Sequence, residues 1–514
     1  MKNLVRTTAL VLVSFAMLTL TACKKDDDAA SRPSTIPGTH NRPERPSSPE
    51  QHDSYLVQVL DSAFYSSPEQ LGEAIGQNPM LEMTDRMGPQ LSSTARNLIS
   101  LMSRINSMKL DTLFDERIGR DSQGQRQWGF SSYAFSYRTI AIDGSPIVLS
   151  ARITFPNNTI DSLTHELSSL SLWGHMMLMD SSWAPSVSIG PMAMRSFFNS
   201  AVIEPDFQGY GIDKKTHHCG LAARTLGRQF IDCGMAALEL LRRNNVILAD
   251  DGYTDIWSVS MMSIAVLGAA RYYEMEAPAE VKRALRYRSA FCVEGPIYPK
   301  GSILYASTHP NFRSPLTQYI SNFEAMYIPH PGDQYTAYDF CADWMQTTMV
   351  PYGDTAVPFN YYIINKLGRN SRNYTPEGYI GSSCAWNFAS DMLDENGQFD
   401  MSSPKTQAFF RVFDEQCQWE TWVPQHPLYL GHCVTDDFIP HEPARELFDL
   451  LHAASPSNLH WYDVPDAGIK MSVSPEGNSS GSSTSHFVIS ILGMMYCTTV
   501  RNPEDMVKYY TLTE

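Results

Sequence analysis

Beyond Asn157-Asn158 the chain carries short apolar runs, each too brief for a helix: Ser169–Trp173, Ala201–Glu204, Asp255–Val259, Ser289–Val293, Pro427–Gly431 and His460–Val464. Helical or loop segments separate them, and the helix opening near Leu221 places Leu226, Phe230, Cys233 and Ala237 on one face. Strands alternating with helices predict an α/β fold with a mostly parallel sheet covered on both sides. Upstream, two apolar runs flank Asp143-Gly144 and predict a hairpin over Tyr133–Phe155. The stretch from Asp53 to Arg120 reads as mostly helical, with Leu98, Leu101, Met102, Ile105 and Met108 recurring at three- and four-residue intervals. Between Tyr298 and about Val423 the alternation stops. That aromatic-, glycine- and proline-rich block reads as a cap, seated where open parallel sheets bind ligands, at the carboxyl ends of the strands. The expected organisation is a helical extension over 53–125, core over 126–299, cap insertion over 300–422 and core again over 423–514.

Residues 1–22 read as a leader. Met1-Lys2-Asn3-Leu4-Val5-Arg6 is a basic start, and Ala9–Leu20 is apolar but short for a bilayer span. The leader ends in Leu20-Thr21-Ala22-Cys23, which resembles a bacterial lipobox. The resemblance implies cleavage before Cys23 and a lipid on that cysteine. Lys24-Lys25-Asp26-Asp27-Asp28 is similar to the acidic export tag of surface lipoproteins in Bacteroidetes-type bacteria, though a charge run is also what a solvated linker shows. Residues 23–52, rich in proline, serine and charge, bury too little apolar surface to order and read as a tether. The expected location is the cell envelope, lipid-anchored to the outer membrane, with no later transmembrane helix.

Composition removes several classes of function. A formal net charge of -16 opposes nucleic acid as a partner, because phosphate binding needs a cationic footprint. The cysteines of the body show no C-x-x-C spacing, so a zinc knot is not expected, and buried thiols compete with disulfides. His217-His218-Cys219 is a poor metal set, since adjacent histidines point apart and no carboxylate accompanies them. No metal and no cofactor are expected. Oligomeric state is not legible.

The chemistry-bearing pattern is Asp255-Ile256-Trp257-Ser258-Val259-Ser260-Met261-Met262-Ser263, where an apolar strand runs into a serine and a small-residue helix follows at once. That is the layout of a nucleophile elbow, which usually reads G-x-S-x-G. Here Ser258 and Met262 stand where the glycines would be. A serine hydroxyl needs an adjacent base, and a histidine base needs a carboxylate to orient it. Ser260, Asp436 and His486 lie in that chain order, with Asp437 competing for the acid.

Four segments then resemble the α/β-hydrolase family, in its secretory-lipase and prolyl-oligopeptidase-like esterase branches. They are Leu172-Trp173-Gly174-His175-Met176, the run Val202–Gly211 containing Pro205-Asp206-Phe207-Gln208-Gly209-Tyr210-Gly211, the elbow leading into Ala269-Ala270-Arg271-Tyr272, and Leu430–Pro440. The resemblance implies an acyl-enzyme route on an ester or peptide bond. Ser260 would be nucleophile, His486 base and then acid, and Asp436 its orienter. Backbone N–H groups of Met261 and of His175 or Met176 would form the oxyanion hole. A methionine in place of a glycine leaves a second reading open: a weakened or inactive pocket that binds a glycan, lipid or peptide.

Overall fold

The computed structural model describes residues 54–79, 122, 123, 127–160, 163–176, 181–309, 323–352, 354–367, 388–436, 438–464, 486, 490, 493, 494, 497, 498, 500, 503 and 504. The leader, Cys23, the tether, the apolar face from Leu98 to Met108 and Asp437 lie outside them.

One sheet runs through the molecule. Its strands are β1 (Leu56–Tyr65), β2 (Trp128–Ile140), β3 (Pro146–Asn158), β4 (His165–Gly174), β5 (Ser200–Pro205), β6 (Val246–Val259), β7 (Tyr287–Val293), β10 (Leu428–His432) and β11 (Leu459–Asp463). Their order across the sheet is β1-β2-β3-β5-β4-β6-β7-β10-β11. From β5 to β11 every neighbouring pair is parallel, whereas β1, β2, β3 and β5 pair antiparallel. The six apolar runs between Ser169 and Val464 fall on strands β4, β5, β6, β7, β10 and β11 of this sheet. The hairpin also forms, with Gly144 at φ +80 in the turn between β2 and β3.

The sequence reading is corrected at one place. Leu56–Tyr65, inside the stretch read as a helical extension, is the edge strand β1. Its valines and aromatics suit a pleated surface, and the open edge of β2 offers a ladder, so pairing decides the conformation. Among the described residues of 53–125, helix is confined to α1 (Pro68–Gly76).

The parallel strands bury both faces, and successive residues divide between two cores. Leu172, Ile256, Ala290 and Cys292 pack toward α2 (Ala223–Arg243) and α3 (Ser263–Met275). Trp173, Trp257, Phe291 and Val293 pack on the opposite side with Phe197, Met494, Cys497 and Val500. This is the two-residue alternation of a strand covered on both faces. On the second face the buried Arg195 guanidinium lies 3.9 Å over the Trp257 ring and donates to the Val500 carbonyl at 2.9 Å. That bond ties the C-terminal segment to the sheet.

Helices α2 and α3 meet through glycine. A Cβ on Gly268 would stand 1.9 Å from the Ala223 carbonyl oxygen, and one on Gly227 would stand 2.1 Å from the Gly268 carbonyl carbon. Backbones this close exclude any side chain. The contact sets where α3 lies, and α3 begins immediately after the Ser260 turn.

Between β7 and β10 no strand of the described residues joins the main sheet. The block holds α5 (Pro299–Thr308), the small antiparallel pair β8 (Met349–Tyr352) and β9 (Thr355–Pro358), and α6 (Pro404–Cys417), preceded by α4 (Ala279–Leu285) before β7. Phe323, Phe340, Phe388, Phe409 and Phe413 stack into its aromatic centre. After β10, α7 (His441–Ala454) leads to β11. Among the described residues no helix is long and apolar enough to cross a membrane.

Candidate active site

The carboxyl ends of β4, β6, β7 and β10 gather the polar side chains that the two cores exclude. β6 ends at Val259 in extended backbone, Ser260–Met262 form a single 3-10 turn, and α3 follows. Ser260 sits at φ +64. A non-glycine residue rarely adopts that conformation, and here it lifts the side chain off both the strand and the helix.

The two absent glycines are accommodated by a third. Gly174, at the end of β4, lies opposite Ser258 in the ladder. A Cβ on Gly174 would stand 2.8 Å from the Met262 Cβ, so the space Met262 needs comes from the neighbouring strand. The Met262 side chain is buried in the α2/α3 core, and the Ser258 hydroxyl donates to the Gly174 carbonyl at 2.9 Å. Neither side chain separates Ser260 from its partner.

That partner is His486. The Ser260 Oγ is 2.9 Å from His486 Nε2, and His486 Nδ1 is 2.7 Å from Asp436 Oδ2. An ionised carboxylate only accepts, so the Nδ1–H donates to it and Nε2 is left to accept the serine proton. The other Asp436 oxygen accepts the backbone N–H groups of Phe438 at 2.8 Å and Ile439 at 2.9 Å. His486 and Asp436 are both fully buried, and Ser260 keeps 7% of its surface. Burial alone would raise the Asp436 carboxyl. The facing His486, which also donates a hydrogen bond, and after it the neighbouring His432 and Glu294 outweigh burial and hold the group well below the usual carboxylate range. The structure thus brings together the three side chains singled out by chain order.

No protein-family model and no curated protein matches the chain. Solved structures do. The cell-wall-degrading esterase LipA of Xanthomonas oryzae superposes with a TM-score of 0.51 at 15% identity, over 77% of this chain and 94% of that one. A candidate hydrolase from Legionella pneumophila gives 0.50 at 14% identity, over 89% and 98%. The fold is that of an α/β hydrolase.

Within this α/β-hydrolase fold the remaining site residues separate by contact. Met261 lies half-buried in the serine turn, and Met176 is buried just beyond Gly174, so both backbone segments border the same strand ends. The His175 ring is buried against Phe207 and Tyr210. Its Nδ1 lies 2.6 Å from the Met176 carbonyl and its Nε2 3.2 Å from the Asp206 carbonyl. Burial lowers its affinity for a proton, so the ring is a neutral brace for the loop.

The Pro205–Gly211 segment is a turn. The Asp206 carboxylate accepts the Ser186 N–H at 2.9 Å and the Ser150 hydroxyl, and burial raises it to about 6. Gly209 and Gly211 take positive φ, and a Cβ on Gly211 would stand 1.9 Å from Asp206 Oδ2. Beside it, buried Glu204 is raised to about 7 by desolvation, despite the charge of Arg152, its neighbour in the ladder across the strands.

His218 is likewise structural. Its Nδ1 lies 2.7 Å from the Gln208 carbonyl, and burial pushes the ring down to about 3 while the neighbouring Cys219 thiol rises to about 12. The described cysteines 219, 233, 292, 341, 417, 433 and 497 are all buried, and none of them is joined in a disulfide.

One group escaped the sequence reading. Glu294 directly follows β7, fully buried at φ +55. It stands among Asp436 and His432, whose nearest ligand-type atoms all lie within 4.8 Å of one another. A metal is a poor fit there. His432 Nε2 lies 2.9 Å from the Ile439 carbonyl, and Asp436 is taken up by His486 and two N–H groups. The available signal was a glutamate closing the apolar run Ser289–Val293, with no other polar residue beside it to explain it.

Proposed function

We propose that the protein is a serine hydrolase that cleaves an ester bond through an acyl-enzyme. Ser260 Oγ attacks the carbonyl carbon while His486 Nε2 takes its proton. His486 then protonates the leaving oxygen, and water repeats the sequence to release the acid. Asp436 holds the imidazole and stabilises its cation. The N–H groups of Met261 and of His175 or Met176 are the oxyanion donors in this reading.

The observation that carries the proposal is the unbroken chain from Ser260 through His486 to Asp436, with the serine held at positive φ. Esterase activity in a neighbour of the same fold favours an ester over a peptide bond. No observation favours the alternative of an inactive binding pocket, since Ser258 and Met262 turn away from the serine.

The test is a fluorophosphonate probe on the purified protein, followed by mass mapping. Expected is one adduct on the Ser260 peptide. A folded protein that stays unlabelled at this peptide would end the hydrolase reading. We also propose that Cys23 carries the lipid anchoring the chain to the bacterial envelope. Metabolic fatty-acid labelling should reach the wild type and miss Cys23→Ala; equal labelling of both would refute it.

A further inference from the structure

Strands β7 and β10 are parallel neighbours with Val293 opposite Gly431, and the Glu294 N–H extends their ladder by donating to the Gly431 carbonyl at 3.0 Å. The residues that follow the two strands therefore arrive at one place. Glu294 comes from β7, and His432, Cys433 and Asp436 come from β10. The groups facing the Glu294 carboxyl are the Asp436 carboxyl, the backbone and thiol of Cys433, and His432 Nε2 at 3.7 Å from Oε2. Behind them stand His486, bonded to Asp436, and His441 of α7, whose ring contacts His432.

Two carboxyls this close in a dry site cannot both ionise. Their partners decide which one holds the proton. Asp436 accepts from two backbone N–H groups and from His486, all of which favour its charge. No donor reaches either Glu294 oxygen at full hydrogen-bonding geometry, and the Cys433 backbone, which favours the charged form, is the smallest of the influences on it. A proton of its own gives this buried carboxyl a bond to donate, and the acceptor in front of it is Asp436. Desolvation first, and the Asp436 charge second, push Glu294 well above the usual carboxylate range.

The backbone points the same way. At φ +55 a glycine would sit without strain, and a glutamate does not. A strained, buried, charge-capable side chain beside a reactive group is the signature of a position kept for its chemistry.

We propose that Glu294 is a positioning residue of the hydrolytic site: a neutral carboxylic acid that donates a hydrogen bond to Asp436 and so moderates its pull on the His486 proton. The proposal rests on the serine-hydrolase reading for its catalytic consequence, though not for the proton itself. Without the donor, the Asp436 charge bears more strongly on His486 and the imidazolium persists to higher pH. With a second ionised carboxyl in place of the donor, the same shift would be larger.

Two variants of similar size separate the cases. Glu294→Gln keeps a neutral donor, and Glu294→Leu keeps the bulk alone. The proton is read directly from the infrared spectrum of wild type minus Glu294→Gln. The pH is set above the ionisation of Glu204, about 7, and of Asp206, about 6, so that neither contributes. A protonated-carboxyl band present in the wild type and missing in the variant is expected; a band only in the ionised-carboxylate region overturns the proposal. In kinetics, Glu294→Gln should hold kcat/KM within about threefold and leave its acid limb in place, that limb following protonation of the base. Glu294→Leu should lose roughly tenfold in kcat with KM unchanged and its acid limb moved to higher pH. Equal losses in both variants with unmoved limbs would reduce Glu294 to packing. Should the protein prove to hydrolyse nothing, the infrared band still decides where the proton is. The low-field proton resonance of His486 Nδ1 then replaces the limb, and it should move in Glu294→Leu and stay in Glu294→Gln.

Discussion

Ser260→Ala should lower kcat against an activated ester by about 10⁶-fold, leaving a residual rate that later removal of His486 barely changes. The size follows from the linear arrangement of the site. Ser260 Oγ meets His486 Nε2 at 2.9 Å, and His486 meets Asp436 at 2.7 Å, so the base has no other described hydroxyl this close to activate. Ser490 stands 3.5 Å from the same nitrogen, at the limit of a hydrogen bond. Alanine adds no strain that serine at φ +64 does not already carry, so the melting temperature should stay near that of the wild type. KM should also hold, because the hydroxyl enters the covalent step rather than binding. Steady-state kinetics on wild type, Ser260→Ala and the double variant with His486→Ala are sufficient. A Ser260→Ala protein retaining more than about a hundredth of the activity would place the nucleophile elsewhere.

Asp436→Asn is expected to cost about 10⁴-fold in kcat with the site geometry intact. The local hydrogen bonds dictate how the new amide sits. Oδ1 accepts two backbone N–H groups, from Phe438 and Ile439, and only the amide oxygen of asparagine can replace it. The amide nitrogen must therefore take the place of Oδ2 and point its hydrogens at His486 Nδ1. Nδ1 then has to accept, which puts the ring proton on Nε2, facing the serine. A ring protonated there cannot take the Ser260 proton. Single-turnover measurement of acylation reads this directly. A loss below about tenfold would mean that the carboxylate does not choose the tautomer.

The elbow shows how a motif is kept after its letters change. Glycines flanking the serine normally allow strand and helix to approach. In this chain Met262 and Ser258 occupy those places, and the clearance is supplied from β4 by Gly174, whose missing Cβ leaves room for the Met262 side chain. The requirement was for space at one point, and a neighbouring strand meets it as well as the elbow itself.

Much of this was legible before any tertiary contact. Apolar runs of strand length, the Asp143-Gly144 turn and the three-to-four-residue spacing of Leu226, Phe230, Cys233 and Ala237 are local properties, because burial on a sheet face or a helix stripe imposes its period on the residues themselves. The order of Ser260, Asp436 and His486 was readable for a similar reason: the first two stand at the end of, or just beyond, such a run, and His486 follows the last run after a loop. What depended on partners distant in sequence was not readable. Leu56–Tyr65 became a strand because β2 had an edge to fill. Asp436 meets His486, 50 residues further on, only because the fold brings the loop after β10 against it. Glu294 met Asp436 because β7 and β10 are neighbours in the sheet, although the whole inserted block separates them along the chain. Hydrophobic period is written residue by residue, whereas the charge state of a buried carboxyl depends on what the fold sets in front of it.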